Sequence, residues 1–120
     1  MASKILVIGA SGNIGSGVVR SLLKQGKVVI APVRKLEALD KLKEYAKGHE
    51  SNFIGLEGDV GTEEGALKLR KKIEEIGGVQ HIFTSLGPWV SKGPLTTVNL
   101  KDFNEAVHDL AGCHFIAAKT

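Results

Sequence analysis

A glycine-spaced turn between an apolar run and a helical pattern is the part of this sequence best suited to chemistry. Gly9, Gly12 and Gly15 recur at intervals of three directly after the apolar residues 5–8. Glycine permits a tight turn and lets a phosphate approach the main chain. The free N–H groups at a helix start attract negative charge. The turn therefore predicts a cradle for the pyrophosphate of a dinucleotide. The predicted cradle comprises Gly9, Ser11, Gly12, Asn13, Ile14 and Gly15.

Two cations follow the second apolar run, about 20 residues after the glycine turn. An acidic side chain at this place would bind the 2′-hydroxyl of an adenosine ribose. Arg34 and Lys35 stand there instead. Because the guanidinium fork can hold two phosphate oxygens at once, Arg34 suits the 2′-phosphate of NADP. NADP is therefore the favoured cofactor, and NAD stays open because both residues also fit a solvated helix start.

Short apolar runs alternate with helical patterns along the whole chain. After the first strand, strands are predicted at residues 27–33, 52–59 and 79–86, rich in β-branched and other apolar residues. Apolar spacings of three and four predict four helices. These spacings rest on Ile14, Val18 and Leu22, with Val19 and Leu23 widening the stripe; on Leu36, Leu39, Leu42 and Ala46; on Ala66, Leu69, Ile73 and Ile76; and on Phe103, Ala106, Val107, Leu110, His114 and Ala117. Asn99 and Asp102 look like a capping pair for the last helix. The pattern predicts one α/β domain over residues 1–120, with a Rossmann-type, doubly wound parallel sheet in strand order 3-2-1-4.

Composition limits the classes of function. The chain has 120 residues, 42% of them hydrophobic, and a net charge of +3. No apolar run approaches the roughly 20 residues that span a membrane, and an aromatic content of 5% argues against nucleic-acid binding. The four histidines show no metal-binding spacing. Cys113 is the only cysteine, so no internal disulfide can form; it is expected to be buried and inert, and a cytoplasmic location is expected.

The chain resembles the short-chain dehydrogenases/reductases over nearly its whole length. Its glycine turn is similar to that of the extended and atypical branches. Asp59 and Val60 match the family's adenine-contacting Asp-Val pair, and residues 84–87 occupy the place of its Asn-Asn-Ala-Gly turn. The resemblance implies that Ser85, Leu86 and Gly87 lie beneath the ribose and nicotinamide. Asp109 stands where the family keeps a catalytic asparagine.

The family's catalytic serine and its Tyr-x-x-x-Lys motif have no counterpart in these 120 residues. Tyr45 is the only tyrosine, and His49 rather than lysine follows it at the required spacing. No catalytic residue is therefore expected, and the chain alone is predicted to be inactive. It is expected to be the truncated, cofactor-binding half of an oxidoreductase, with a non-catalytic nucleotide sensor as the alternative. The resemblance also implies a homo-oligomer, formed through the last helix or the fourth-strand edge.

Overall fold

The computed structural model describes residues 3–86 and 94–118 of the chain. Within these ranges, four parallel strands form one sheet in the order β3-β2-β1-β4, which confirms the predicted order. The strands are β1 (Lys4–Ile8), β2 (Val28–Val33), β3 (Phe53–Glu57) and β4 (His81–Thr84). β2 and β3 extend the sheet to one side of β1, whereas β4 lies on the other side, so the strand order reverses at β1. This switch point is where such sheets bind ligands.

Helices connect the strands and cover both faces of the sheet. They are α1 (Asn13–Lys24), α2 (Ala38–Tyr45), α3 (Glu63–Glu75), α4 (Leu100–Val107) and α5 (Cys113–Ala118). Short 3₁₀ turns occupy Glu50–Asn52 and Leu95–Thr97. None of the helices in the described ranges is long and apolar enough to cross a membrane.

Alternating side chains of the central strands form two separate cores. Val7 and Val29 face one core with Leu23 of α1, whereas Leu6 and Ile30 face the other with α3. Because neighbouring residues of a strand point to opposite faces, a strand covered on both sides must be apolar throughout. The continuous apolar runs of β1 and β2 follow from this requirement and confirm the doubly wound arrangement.

The predicted apolar stripe of α1 is buried except at its first residue. Val19 and Leu23 are fully buried and Val18 and Leu22 pack beside them, whereas Ile14 is 67% exposed. Gly15 sets this orientation because it lies against the backbone of Gly9, and the residues four and eight positions further along the helix then face the sheet. Ile14 was therefore wrongly placed in the buried stripe, whereas the rest of the predicted stripe packs against the core.

The predicted last helix is helical throughout but is not one regular helix. A π-helical turn over His108–Gly112 separates α4 from α5. The start of α4 agrees with the sequence, because the side-chain oxygen of Asn99 accepts a hydrogen bond from the backbone N–H of Asp102 at 2.8 Å. The third and fourth strands are shorter at both ends than predicted.

Candidate functional site

A cleft of about 430 Å³ opens at the carboxyl ends of the strands. It brings together residues from the loops after all four strands and from the helical run 100–118. Seven of the predicted site residues line it: Gly9, Ser11, Gly12, Arg34, Asp59, Val60 and Leu86. The other lining residues are Ile8, Pro32, Val33, Gly58, Gly61, Asp109 and Cys113.

The glycine turn at the cleft has no room for a side chain at Gly9 or at Gly15. Gly9 adopts φ +85°, and a Cβ there would overlap the carbonyl oxygen of Ser85. A Cβ on Gly15 would likewise overlap the carbonyl oxygen of Gly9. The backbone N–H of Gly12 donates to that same carbonyl at 3.1 Å, which closes the turn. The turn is therefore held between the end of β4 and the first turn of α1.

The amino terminus of α1 lies at the cleft, because Gly12, which precedes the helix, lines the cleft. Gly12 is the N-cap residue, and no side chain caps the helix within the described structure. Its first turn contains no acidic residue. Helix N-termini carry partial positive charge and N–H groups without intrahelical partners. This end of α1 therefore suits an anion, as the sequence predicts.

A cation and a carboxylate lie where β2 and β3 end. Arg34 is exposed, and no ion pair in the described ranges engages it. Asp59 is fixed by its own loop, because its Oδ1 accepts a hydrogen bond from the N–H of Gly61 at 2.7 Å. Gly65 of α3 packs against the carbonyl of Asp59, and a Cβ on Gly65 would overlap that oxygen. These two contacts hold the loop after β3 in place at the cleft, which Arg34 also lines.

Several predicted residues do not line the cleft. Asn13 and Ile14 are exposed on α1, Gly15 is buried behind the glycine turn, and Lys35 is exposed beside Arg34. Ser85 supports Gly9 through its carbonyl oxygen rather than facing the cleft. Gly87 lies outside the described residues, as do Trp89 and most of the loop after β4.

The π-helical turn brings two further residues to the cleft, of which only Asp109 had been related to a functional site, through the family resemblance. Asp109 and Cys113 line its wall, and the backbone N–H of Cys113 donates to the carbonyl of His108, five residues earlier. Cys113 is half-buried, not fully buried as expected, and its Sγ lies 3.9 Å from Nε2 of His108. Periodicity carried no signal for this turn, because a π turn changes which residues share a face without changing their types.

Electrostatics in this part of the cleft favour the neutral thiol. Burial raises the pKa of Cys113, and the nearby carboxylates of Asp109 and Asp59 raise it further, whereas Arg34 lowers it. A thiol is reactive as the thiolate, so Cys113 is a poor nucleophile near neutral pH. Across the described ranges, no group of three His, Cys, Asp or Glu side chains could hold a metal ion.

A doubly wound parallel sheet with a glycine turn at its switch point defines the class of Rossmann-type α/β domains. A family profile described as short chain dehydrogenase matches residues 3–112. The chain belongs to the short-chain dehydrogenase/reductase family, as its motifs predict.

Known relatives agree with this assignment. A short-chain dehydrogenase/reductase of Pestalotiopsis fici is 32% identical over 105 residues, covering 86% of this chain and 42% of the relative. Versicolorin reductase 1 of Aspergillus parasiticus is 31% identical over 114 residues, covering 93% and 44%. The chain thus spans less than half the length of these curated relatives.

Solved structures show the same fold. The structure of ElxO with NADP bound superposes with a TM-score of 0.88 at 23% identity, covering 99% of this chain and 48% of that one. YwfH, an NADPH-dependent reductase involved in bacilysin biosynthesis, gives a TM-score of 0.84 at 21% identity, covering 99% and 51%.

Proposed function

We propose that this chain is an NADP-binding domain of a short-chain oxidoreductase. The observation that carries the proposal is the cleft itself, which combines a turn whose main chain is open at Gly9 and Gly12 with an exposed cation at Arg34 that no ion pair of the described residues engages. The turn and the amino terminus of α1 would hold the pyrophosphate. Arg34 would bind the 2′-phosphate of the adenosine ribose. The structure of ElxO with NADP bound, which shares the fold, supports this choice of cofactor.

Asp59 and Val60 fit the adenosine end of such a ligand. Val60 is 8% exposed and joins the core beneath α3, so it offers an apolar floor at the cleft. Asp59 keeps its Oδ2 as an acceptor beside that floor, since Oδ1 is engaged by Gly61. Leu86 lines the opposite side after β4. Of the remaining predicted contacts, Lys35 is an exposed second cation beside the 2′-phosphate site, and NAD is expected to bind more weakly than NADP.

We assign cofactor binding, not turnover, to these 120 residues. Hydride transfer to a carbonyl needs an acid that protonates the developing alkoxide. Tyr45 packs beside the core between α2 and the sheet, and it does not line the cleft. Ser85 lies beside the turn at the end of β4, where its backbone carbonyl packs against Gly9, and it does not line the cleft. A nucleotide sensor that uses the same cleft without turnover is the second candidate, because the described residues that line the cleft include no tyrosine or lysine.

We further propose that the chain forms homo-oligomers in the cytoplasm. Phe103 and Val107 are 59% and 47% exposed on one side of α4, and Ile82 is 47% exposed on β4. Exposed apolar surface of this kind is typical of protein–protein contacts. Light scattering at high micromolar concentration should show a dimer or larger species that Phe103→Lys shifts towards monomer. A clean monomer in the unmodified chain would contradict this assignment.

Titration with NADPH and NADH tests the cofactor. A charge-assisted hydrogen bond contributes about 1.5 to 3 kcal/mol, so NADPH should bind more than about tenfold tighter than NADH. Arg34→Asp should remove or invert this preference. Arg20→Asp makes the same charge change at an exposed position of α1 that does not line the cleft, and it should leave the preference intact. Equal affinities in the unmodified chain at moderate salt would refute the NADP assignment.

A further inference from the structure

The cleft contains an acid that a phosphate-bearing ligand does not require. Among the described lining residues, Asp59 and Asp109 are the acids and Arg34 is the cation. Asp59 has one oxygen bound to the N–H of Gly61. Asp109 is half-buried in the π-helical turn, and no hydrogen bond or ion pair in the described ranges engages its carboxylate. Its negative charge therefore opposes the binding of an anion in the cleft.

Asp109 lies on the side of the cleft where β2 and β3 end. Cys113, on the same wall, is the first residue of α5, and α5 packs against α3, the helix that follows the loop of Asp59. Burial raises the pKa of Cys113, Asp109 and Asp59 raise it further, and Arg34 lowers it. The three charges therefore act on one point of the cleft, and the wall of Asp109 and Cys113 lies beside Arg34 and Asp59.

The sheet places the adenosine end of the proposed ligand at this wall. Val33 and Glu57, the last residues of β2 and β3, are paired in the parallel register, so the loops that carry Arg34 and Asp59 begin side by side. A 2′-phosphate on Arg34 would bring a charge of about −1.5 to −2 at pH 7 to this part of the cleft. Asp109 would repel this charge, and Arg34 would attract it.

We propose that Asp109 limits the preference of this cleft for NADP over NAD by repelling the 2′-phosphate that Arg34 binds. The inference rests on the proposed NADP-binding function and adds a second residue that sets its specificity. NADH lacks the 2′-phosphate and otherwise matches NADPH, so the repulsion would appear in the ratio of the two affinities. Asp109 and Arg34 would then change this ratio in opposite directions.

Two substitutions separate the position of the charge from its sign. Asp109→Asn removes the negative charge with little change of shape. Glu105→Gln is the matched control, because it makes the same change of net charge at a residue of α4 that is exposed and does not line the cleft. Asp109→Ser repeats the test with a smaller neutral side chain.

Fluorescence titration of NADPH and NADH into each protein at low salt tests the proposal. The ratio of the Kd for NADH to the Kd for NADPH should rise by about twofold or more in Asp109→Asn and Asp109→Ser. It should stay within experimental error in Glu105→Gln. Raising the salt concentration should reduce the difference between the unmodified protein and Asp109→Asn, because salt screens partly exposed charges.

Adenosine fragments locate the effect within the cleft. Calorimetric titration of 2′,5′-ADP and 5′-AMP compares two ligands that differ by the 2′-phosphate and lack the nicotinamide nucleoside. Their affinity ratio should change in Asp109→Asn in the same direction as that of the whole cofactors. A change confined to the whole cofactors would place the action of Asp109 away from the 2′-phosphate and overturn the inference.

Two further results would overturn it. One is an unchanged or lower ratio in both Asp109 variants, each shown to be folded by circular dichroism. The other is an equal rise in Glu105→Gln, which would reflect net charge instead of position. Failure of the unmodified chain to bind either cofactor is a different result, because it would refute the proposed function itself and with it the ligand on which this inference depends.

Discussion

Two glycines of α1 offer a stability test of the glycine turn that is independent of ligand. Gly15 and Gly17 lie two residues apart in the same helix. A Cβ on Gly15 would overlap the carbonyl oxygen of Gly9 and lie 3.0 Å from Cα of Ala10. A Cβ on Gly17 would meet nothing within 4 Å. Alanine therefore brings the same gain in helix propensity at both positions, but its methyl group clashes with the backbone only at position 15.

The expected effects differ in sign. Replacing an exposed helical glycine by alanine stabilises a helix by about 0.5 to 1 kcal/mol. Gly17→Ala should gain this amount and raise Tm by about 2 to 4 °C. Gly15→Ala gains the same propensity but overpacks the turn, which typically costs about 1 to 3 kcal/mol or more. Gly9 cannot retreat, because Ser85 blocks its other side. We expect Gly15→Ala to be about 2 kcal/mol less stable than Gly17→Ala.

Urea unfolding followed by circular dichroism measures both variants against the unmodified chain. The same samples titrated with NADPH should show weaker binding in Gly15→Ala, because α1 must move away from the turn that would hold the pyrophosphate. Gly17→Ala should bind normally. Equal stability of the two variants, or a Gly15→Ala protein more stable than the unmodified chain, would refute the close packing of α1 against the turn.

Three further predictions concern the cleft, the last helix and catalysis. Alkylation of Cys113, the only cysteine of the chain, should be slow at neutral pH, and its rate should continue to rise at pH values above the usual pKa of a cysteine. NADPH should protect Cys113 from alkylation, because the residue lines the cleft. Equal alkylation rates with NADPH and in buffer alone would contradict the placement of Cys113. Asn99→Ala should destabilise the fold by about 1 kcal/mol in urea unfolding, since it removes the cap on α4. The chain should oxidise no NADPH with ketone or aldehyde substrates, and turnover that disappears in Ser85→Ala would overturn this expectation.

The sheet was predictable because its signals are local and agree with one another. The apolar runs of β1 and β2 have to be continuous when helices cover both faces, and the spacings in α3 identify its buried side without reference to any other element. The apolar stripe of α1 was predictable except at Ile14, which is exposed. The exact orientation of the helix depends on contact between Gly15 and Gly9, a backbone contact that leaves no trace in a hydrophobic pattern.

The site divides in the same way. The residues after β1, β2 and β3 reach the cleft because parallel strands place their carboxyl ends along one edge. Gly12 and Arg34 could therefore be assigned from their positions, whereas Asp59 was assigned through the family resemblance. Asp109 and Cys113 come from a helix whose register changes at a π-helical turn. A regular helix would assign their faces differently, and no residue type marks the place where the register changes.

Two parts of the cleft, the glycine turn and the helical run 100–118, consequently differ in which groups would contact a ligand. On the glycine side, recognition comes from the main chain, so substitutions at Gly9 or Gly15 must damage packing and binding together. On the helical side, recognition comes from side chains that support little of the core, since Asp109 is half-buried and makes no described bond. Charge on that wall can therefore change without loss of the fold. Cofactor affinity is therefore expected to depend mainly on the glycine side.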